Sequence, residues 1–192
     1  MKQGRGSTRR QFLATTAAAS ASLAGPLPRL GAADQARGDW PRFRRDPRHT
    51  GVADGPPAGL DVLWTVETGD LGTESSAAIV GDTVYVGAVS GQLLALDLEA
   101  GTKRWVYETG SEIGESSPCV HDGVVYIGDL DGVVHAVRAA DGSKAWTFET
   151  GSEIRASPVI HEGRVLIGSY DQFLHALDAK AGTKRWSFET EG

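Results

Sequence analysis

The chain has 192 residues, 40% of them hydrophobic, with 25 glycines, a formal net charge of −6 at pH 7 and one cysteine, Cys119. The acidic balance argues against nucleic acid as a partner, the absence of a long apolar run argues against a transmembrane helix, and a lone cysteine excludes a disulfide within the chain. Many glycines among short apolar runs suit strands joined by tight turns.

The first 33 residues read as a targeting segment. Arg9 and Arg10, followed by Phe12-Leu13 and an Ala-rich stretch through Gly25, resemble a twin-arginine export signal. Small residues at Gly31-Ala32-Ala33 suit cleavage. That segment carries five basic residues and no acid, so its removal takes the formal charge from −6 to −11. Residues 34–60 form an irregular lead-in rich in Pro, Gly and Arg. Within it Trp40-Pro41-Arg42-Phe43-Arg44-Arg45-Asp46 makes a basic patch, expected to pack on the domain edge or to be solvated.

From residue 61 onward strands are legible. Ser76 to Val80 and Thr83 to Gly87 flank the turn Gly81-Asp82; Pro118 to Val120 and Val124 to Gly128 flank Asp122-Gly123; Pro158 to Ile160 and Arg164 to Gly168 flank Glu162-Gly163. Apolar runs separated by a Gly/Asp-type pair are hairpins. A third strand follows each hairpin, at Gln92 to Asp97, Val133 to Arg138 and Phe173 to Asp178. A fourth carries a tryptophan: Trp64, Trp105, Trp146 and Trp186 lie 41, 41 and 40 residues apart. A strand-rich repeat with a period near 40 is the mark of propeller blades.

The predicted fold is therefore all-β, a partial β-propeller of three four-stranded antiparallel blades at about 74–109, 115–150 and 155–190. The stretch 61–68 with Trp64 is an orphan outer strand. Three blades are too few to close a ring, so the sequence reads as a fragment of a larger propeller or an open arc. The indoles are expected to dock between blades, and Gly101, Gly142 and Gly182 to permit turns that other residues resist.

Candidate sites are weighed against this repetition. Glu74, Glu115 and Arg155 stand in register just ahead of each innermost strand, and are expected to ring one mouth of the central channel as ligand positions. His121 and His161 are blade equivalents, as are His135 and His175, and neither pair has metal-ligand spacing. The Asp129-Leu130-Asp131-Gly132 stretch looks like part of a calcium loop but lacks the further acids of one, and is expected to be a turn. Cys119, equivalent to Ala78 and Val159, is expected in the core.

The phrases Ala95-Leu96-Asp97 through Gly101 to Trp105, Ala136-Val137-Arg138 through Gly142 to Trp146, and Ala176-Leu177-Asp178 through Gly182 to Trp186 resemble the repeat of the pyrroloquinoline-quinone-like (PQQ-like) β-propellers. The Trp40 lead-in is similar to the start of exported members. That family holds quinoprotein dehydrogenases and a scaffold lipoprotein of outer-membrane barrel assembly. The resemblance implies periplasmic or extracellular location and two functional expectations. One is a non-catalytic scaffold without cofactor, binding an envelope or extracellular protein or a small ligand. The other is a fragment of a quinone-dependent dehydrogenase, in which PQQ and calcium would be held by a full-length protein. No adjacent cysteine pair or Cys-x-x-Cys-His site is present in this sequence.

Overall fold

The structure, a computed structural model, describes residues 39–46, 51, 62–69 and 71–191. The export-signal reading and most of the lead-in lie outside the described residues. Twelve strands are present among them. The first blade is β1 (Ala78–Val80), β2 (Thr83–Gly87), β3 (Gln92–Asp97) and β4 (Lys103–Glu108). The second is β5 (Cys119–His121), β6 (Val124–Gly128), β7 (Val133–Arg138) and β8 (Lys144–Glu149). The third is β9 (Val159–His161), β10 (Arg164–Gly168), β11 (Phe173–Asp178) and β12 (Lys184–Glu189). Each blade is one antiparallel meander in chain order.

The first turn of each meander sets its register. Asp122 and Gly123 have φ of 47° and 71°, and Glu162 and Gly163 have 48° and 71°. Two consecutive positive values define a type I′ turn, whose twist matches that of the flanking strands. The first blade reaches the same two-residue loop with Gly81 alone at positive φ (59°). Each outer pair also carries an identical register shift. Ala95 opposes Trp105 while Leu96 opposes Lys103, so Arg104 is the extra residue; Ala145 and Arg185 take that place in the other blades. A bulge re-aims the side chain it inserts, here just before each tryptophan.

The middle strands of the second blade are buried on both faces, because that blade is sandwiched between its neighbours, whereas those of the third include many half-buried positions. Side-chain parity divides the work. Tyr85, Leu93 and Ala95 pack towards the second blade against Ile113, Val125, Ile127 and Val137. Val84, Leu94 and Leu96 face the other way, against Trp64 and Val66. Tyr126, Val134 and Ala136 repeat the first arrangement against Ile154, Val165, Ile167 and Leu177 of the third blade. Cys119 is fully buried there, where burial pushes its thiol pKa up.

Two segments are placed by their backbone pairing or the lack of it. The described lead-in packs along the inner strand edge, with Phe43 and Arg44 exposed. Trp40 exchanges both backbone hydrogen bonds with Ile79 (2.7 Å each), Pro41 carbonyl accepts from Val120 N–H (2.8 Å), and Asp39 Oδ1 accepts from Gly81 N–H (3.0 Å). The innermost strands are three residues long and have a free edge, and the lead-in satisfies its exposed groups. Residues 62–69, read as an outer strand, form no ladder, because no adjacent strand is present among the described residues. Val62 and Leu63 are left 81% exposed.

Candidate functional site

Antiparallel meanders put the connections between blades and the turns between second and third strands on one face. The first hairpin turns and the turns into each outer strand lie on the other. Glu74, Glu115 and Arg155 stand on the inter-blade connections, just before the innermost strands. Those strands are neighbours, linked by serines: Ser117 Oγ accepts from Ser76 N–H, and Ser157 Oγ accepts from Ser117 N–H, both at 3.0 Å. Deeper, Ser116 Oγ accepts from Gly128 N–H and donates to Ala156 carbonyl, at 3.0 Å each.

The structure joins two of the three mouth residues. Arg155 Nη1 donates to both carboxylate oxygens of Glu115 (2.9 and 3.0 Å), and its Nε donates to Glu153 (3.0 Å). Its own backbone N–H, then Arg155, hold the Glu115 carboxyl below the usual range, and Glu115, then Glu153, push the guanidinium pKa up. The Arg155 guanidinium also lies 5.9 Å from the centre of the Tyr170 ring, which is 65% exposed. Glu74 lies beside Gly114 and has no polar partner among the described residues. Of the three mouth positions, then, one is an unpaired carboxylate and two are paired with each other, with an exposed aromatic ring against the arginine. Leu71, on the connection that carries Glu74, is 66% exposed.

The histidines divide by depth. His135 is buried; its Nε2 lies 2.8 Å from Asp129 Oδ2 and its Nδ1 lies 3.1 Å from Tyr107 Oη on the preceding blade. Asp129 Oδ1 accepts from Val133 N–H (2.8 Å), so the suspected calcium loop is a turn pinned by its own acid. His175 repeats the pairing with Asp171 (2.8 Å), but Phe148 stands where Tyr107 would, and His175 Nδ1 is buried without a partner. His121 and His161 face only their adjacent acids, Asp122 at 3.5 Å and Glu162 at 3.7 Å. Among the described residues no three His, Cys, Asp or Glu side chains converge to hold a metal. The described blades alone thus do not fit a calcium ion, which takes six to eight oxygen ligands. Arg42, read from the sequence only as part of a basic patch, is nine-tenths buried, with Nε and Nη1 unpartnered.

The tryptophan and glycine positions meet pairwise. Trp64 Nε1 donates to Leu98 carbonyl, Trp105 Nε1 to Ala139 carbonyl and Trp146 Nε1 to Ala179 carbonyl, each at 2.9 Å. Each ring lies on the glycine three residues after that carbonyl: Gly101, Gly142 and Gly182, with φ of 68–72°. A Cβ at any of them would stand 2.5–2.8 Å from its nearest indole atom. Trp186 departs from the pattern. It is 43% exposed and docks on nothing, because no further blade stands against β12 among the described residues; Phe188 beside it is 65% exposed.

Four-stranded meanders stacked through indole-on-glycine contacts define a β-propeller repeat protein. A family model described as "Outer membrane protein assembly factor BamB" matches residues 54–117 and 108–192, and the chain belongs to this PQQ-like repeat family. No curated protein sequence matches the chain. Among solved structures, BamB from Moraxella catarrhalis is similar at 29% identity and a TM-score of 0.52, over 57% of this chain and 34% of that one. Quinohemoprotein alcohol dehydrogenase from Comamonas testosteroni aligns at 24% identity and a TM-score of 0.71, over 80% of this chain and 28% of that one. A europium-containing methanol dehydrogenase aligns at 20% identity and 0.73, over 82% and 33%. The chain spans about a third of the length of these structures, and the two dehydrogenases share its fold.

Proposed function

We propose that the protein is an exported, non-catalytic propeller whose mouth face docks an envelope or extracellular protein. The observation that carries this reading is the composition of the mouth. Tyr170 and Arg155 are residue types that anchor interfaces, and they share the mouth face with the unpaired Glu74 carboxylate and exposed Leu71. The inter-blade Glu115–Arg155 pair holds this surface in shape before any partner arrives, which lowers the ordering cost of association. Membership of a family described by an assembly factor points the same way.

The test is a photo-crosslinking amino acid at position 170 in cells that make the full chain. The reading expects a discrete adduct with one exported protein, absent when the probe is moved to exposed Val106 and reduced by Glu74→Lys. The same smear of adducts at both positions would reject it. The competing reading, a fragment of a quinone-dependent dehydrogenase, expects instead dye-linked alcohol oxidation on addition of PQQ and calcium.

A further inference from the structure

The second blade lacks an ion pair that the other two share. In the first, the bulged Arg104 donates to Asp97 (2.7 Å), Asp82 (2.9 Å) and Thr83 (2.8 Å), laying its guanidinium across the hairpin end of the blade. In the third, Arg185 donates to Asp178 at 2.6 Å. The second blade has Ala145 where the arginine belongs and Arg138 where the aspartate belongs. The pair is absent, and a crevice of about 440 Å³ opens between the second and third blades, on the face opposite the mouth. Its walls include Ala145, Val124 and the Tyr126–Trp146 pair, with ring centres 5.8 Å apart. Both walls belong to described blades.

The charges around this crevice are not balanced. Two of its acids are occupied, Asp178 by Arg185 and the backbone N–H groups of Lys180 and Ala181, and Glu162 by Arg164 at 3.1 Å, while Asp122 stands exposed at the rim. Its cations carry no direct ion pair. Arg138 donates to Ser143 Oγ (3.2 Å) and Lys144 carbonyl (3.0 Å), and Ser143 Oγ passes the contact on to the Asp141 carboxylate (2.6 Å). The Lys180 ammonium has no partner among the described residues. Tyr126 cannot supply a negative charge, since its hydroxyl donates to Ala179 carbonyl (3.1 Å) and burial pushes its pKa up to about 12.

We infer that this crevice binds a small aromatic carboxylate, its ring against the apolar wall of Val124, Ala145 and Trp146 and its anion on Arg138 and Lys180. A guanidinium presents a planar fork that matches a carboxylate, and an apolar cleft of this volume with a few polar groups at its rim is of ligand-site size.

Benzoate is the probe, titrated into the ¹⁵N-labelled full chain and followed by the indole resonances and by calorimetry. Saturable binding that shifts the Trp146 indole and leaves Trp105 unmoved is expected. The double variant Ala145→Arg with Arg138→Asp rebuilds the first blade's pair, keeps the fold's own chemistry and fills the gap. It should weaken benzoate by about tenfold or more, as should Arg138→Gln, an exposed substitution that leaves the fold intact. Benzylamine, the cationic counterpart, should not bind. Absence of saturation, a shift at Trp105 instead, or unchanged affinity in Arg138→Gln would overturn the assignment.

Discussion

Substituting Gly142 tests the contact that joins the blades. The residue has φ +72°, and a Cβ there would lie 2.8–3.0 Å from three carbons of the Trp105 indole. Left-handed strain contributes about 1–2 kcal/mol, and forcing a methyl into a packed contact about 1–3 kcal/mol more. Gly142→Ala should therefore lose roughly 2–5 kcal/mol. Gly123 separates the two effects, since its φ is +71° and an added Cβ would meet nothing within 4 Å. Gly123→Ala should lose only the strain, about 1–2 kcal/mol. In a Trp105→Ala background, itself weakened by about 3–5 kcal/mol, the Gly142 substitution should fall to the Gly123 value. The coupling in that double-mutant cycle should then be about 1–3 kcal/mol. Urea unfolding followed by far-ultraviolet circular dichroism measures all four proteins without relying on tryptophan emission. Equal losses for the two glycines, or strict additivity in the cycle, would refute the reasoning.

Further outcomes follow from the polar interior. Phe148→Tyr places a hydroxyl where Tyr107 stands one blade earlier and gives the orphaned His175 Nδ1 a partner, so urea stability should rise by about 0.5–1.5 kcal/mol; a loss would mean the two interfaces are not equivalent. Ser116→Ala leaves Gly128 N–H and Ala156 carbonyl unpaired in the interior and should lower stability by about 1–3 kcal/mol; a neutral effect would contradict that. Burial opposes the charge of Asp171, but the N–H groups of Gly151 and Phe173 and the His175 ring hold its carboxyl below the ordinary value. A depressed native pKa gives stability that is complete above the unfolded value, near roughly pH 4, and fades as pH falls through the native one. Asp171→Asn should flatten that acid-side slope in urea midpoints, and an unchanged slope would assign the pH dependence elsewhere.

Much of this architecture could be read from the chain because each local cue repeats. Asp122-Gly123 and Glu162-Gly163 mark hairpins wherever they occur, and the tryptophan period gives blade spacing without any long-range information. What could not be read depends on contacts between repeats. His135 and His175 look equivalent, but Asp129 reaches its histidine from six residues away and Asp171 from four, and only one of the two has a tyrosine across the interface. Trp186 carries the same phrase as its counterparts but has no blade beside it among the described residues. Of the three mouth positions, opposite charge made the Glu115–Arg155 pair possible, but only the lean of adjacent innermost strands brings them to 2.9 Å. The Arg42 lead-in carries no periodic pattern, so its pairing along the inner edge left no trace in the sequence. Ala145 shows how a signal can be an omission: it is visible only once the other two blades are seen to carry a paired arginine at the same bulge.

The stacking of blades through their indoles is tested most directly by hydrogen exchange at the tryptophan Nε1–H groups, assigned by single Trp→Phe substitutions. The structure predicts strong protection for Trp64, Trp105 and Trp146, each bonded to a carbonyl at 2.9 Å. Rapid exchange at these three groups would contradict it.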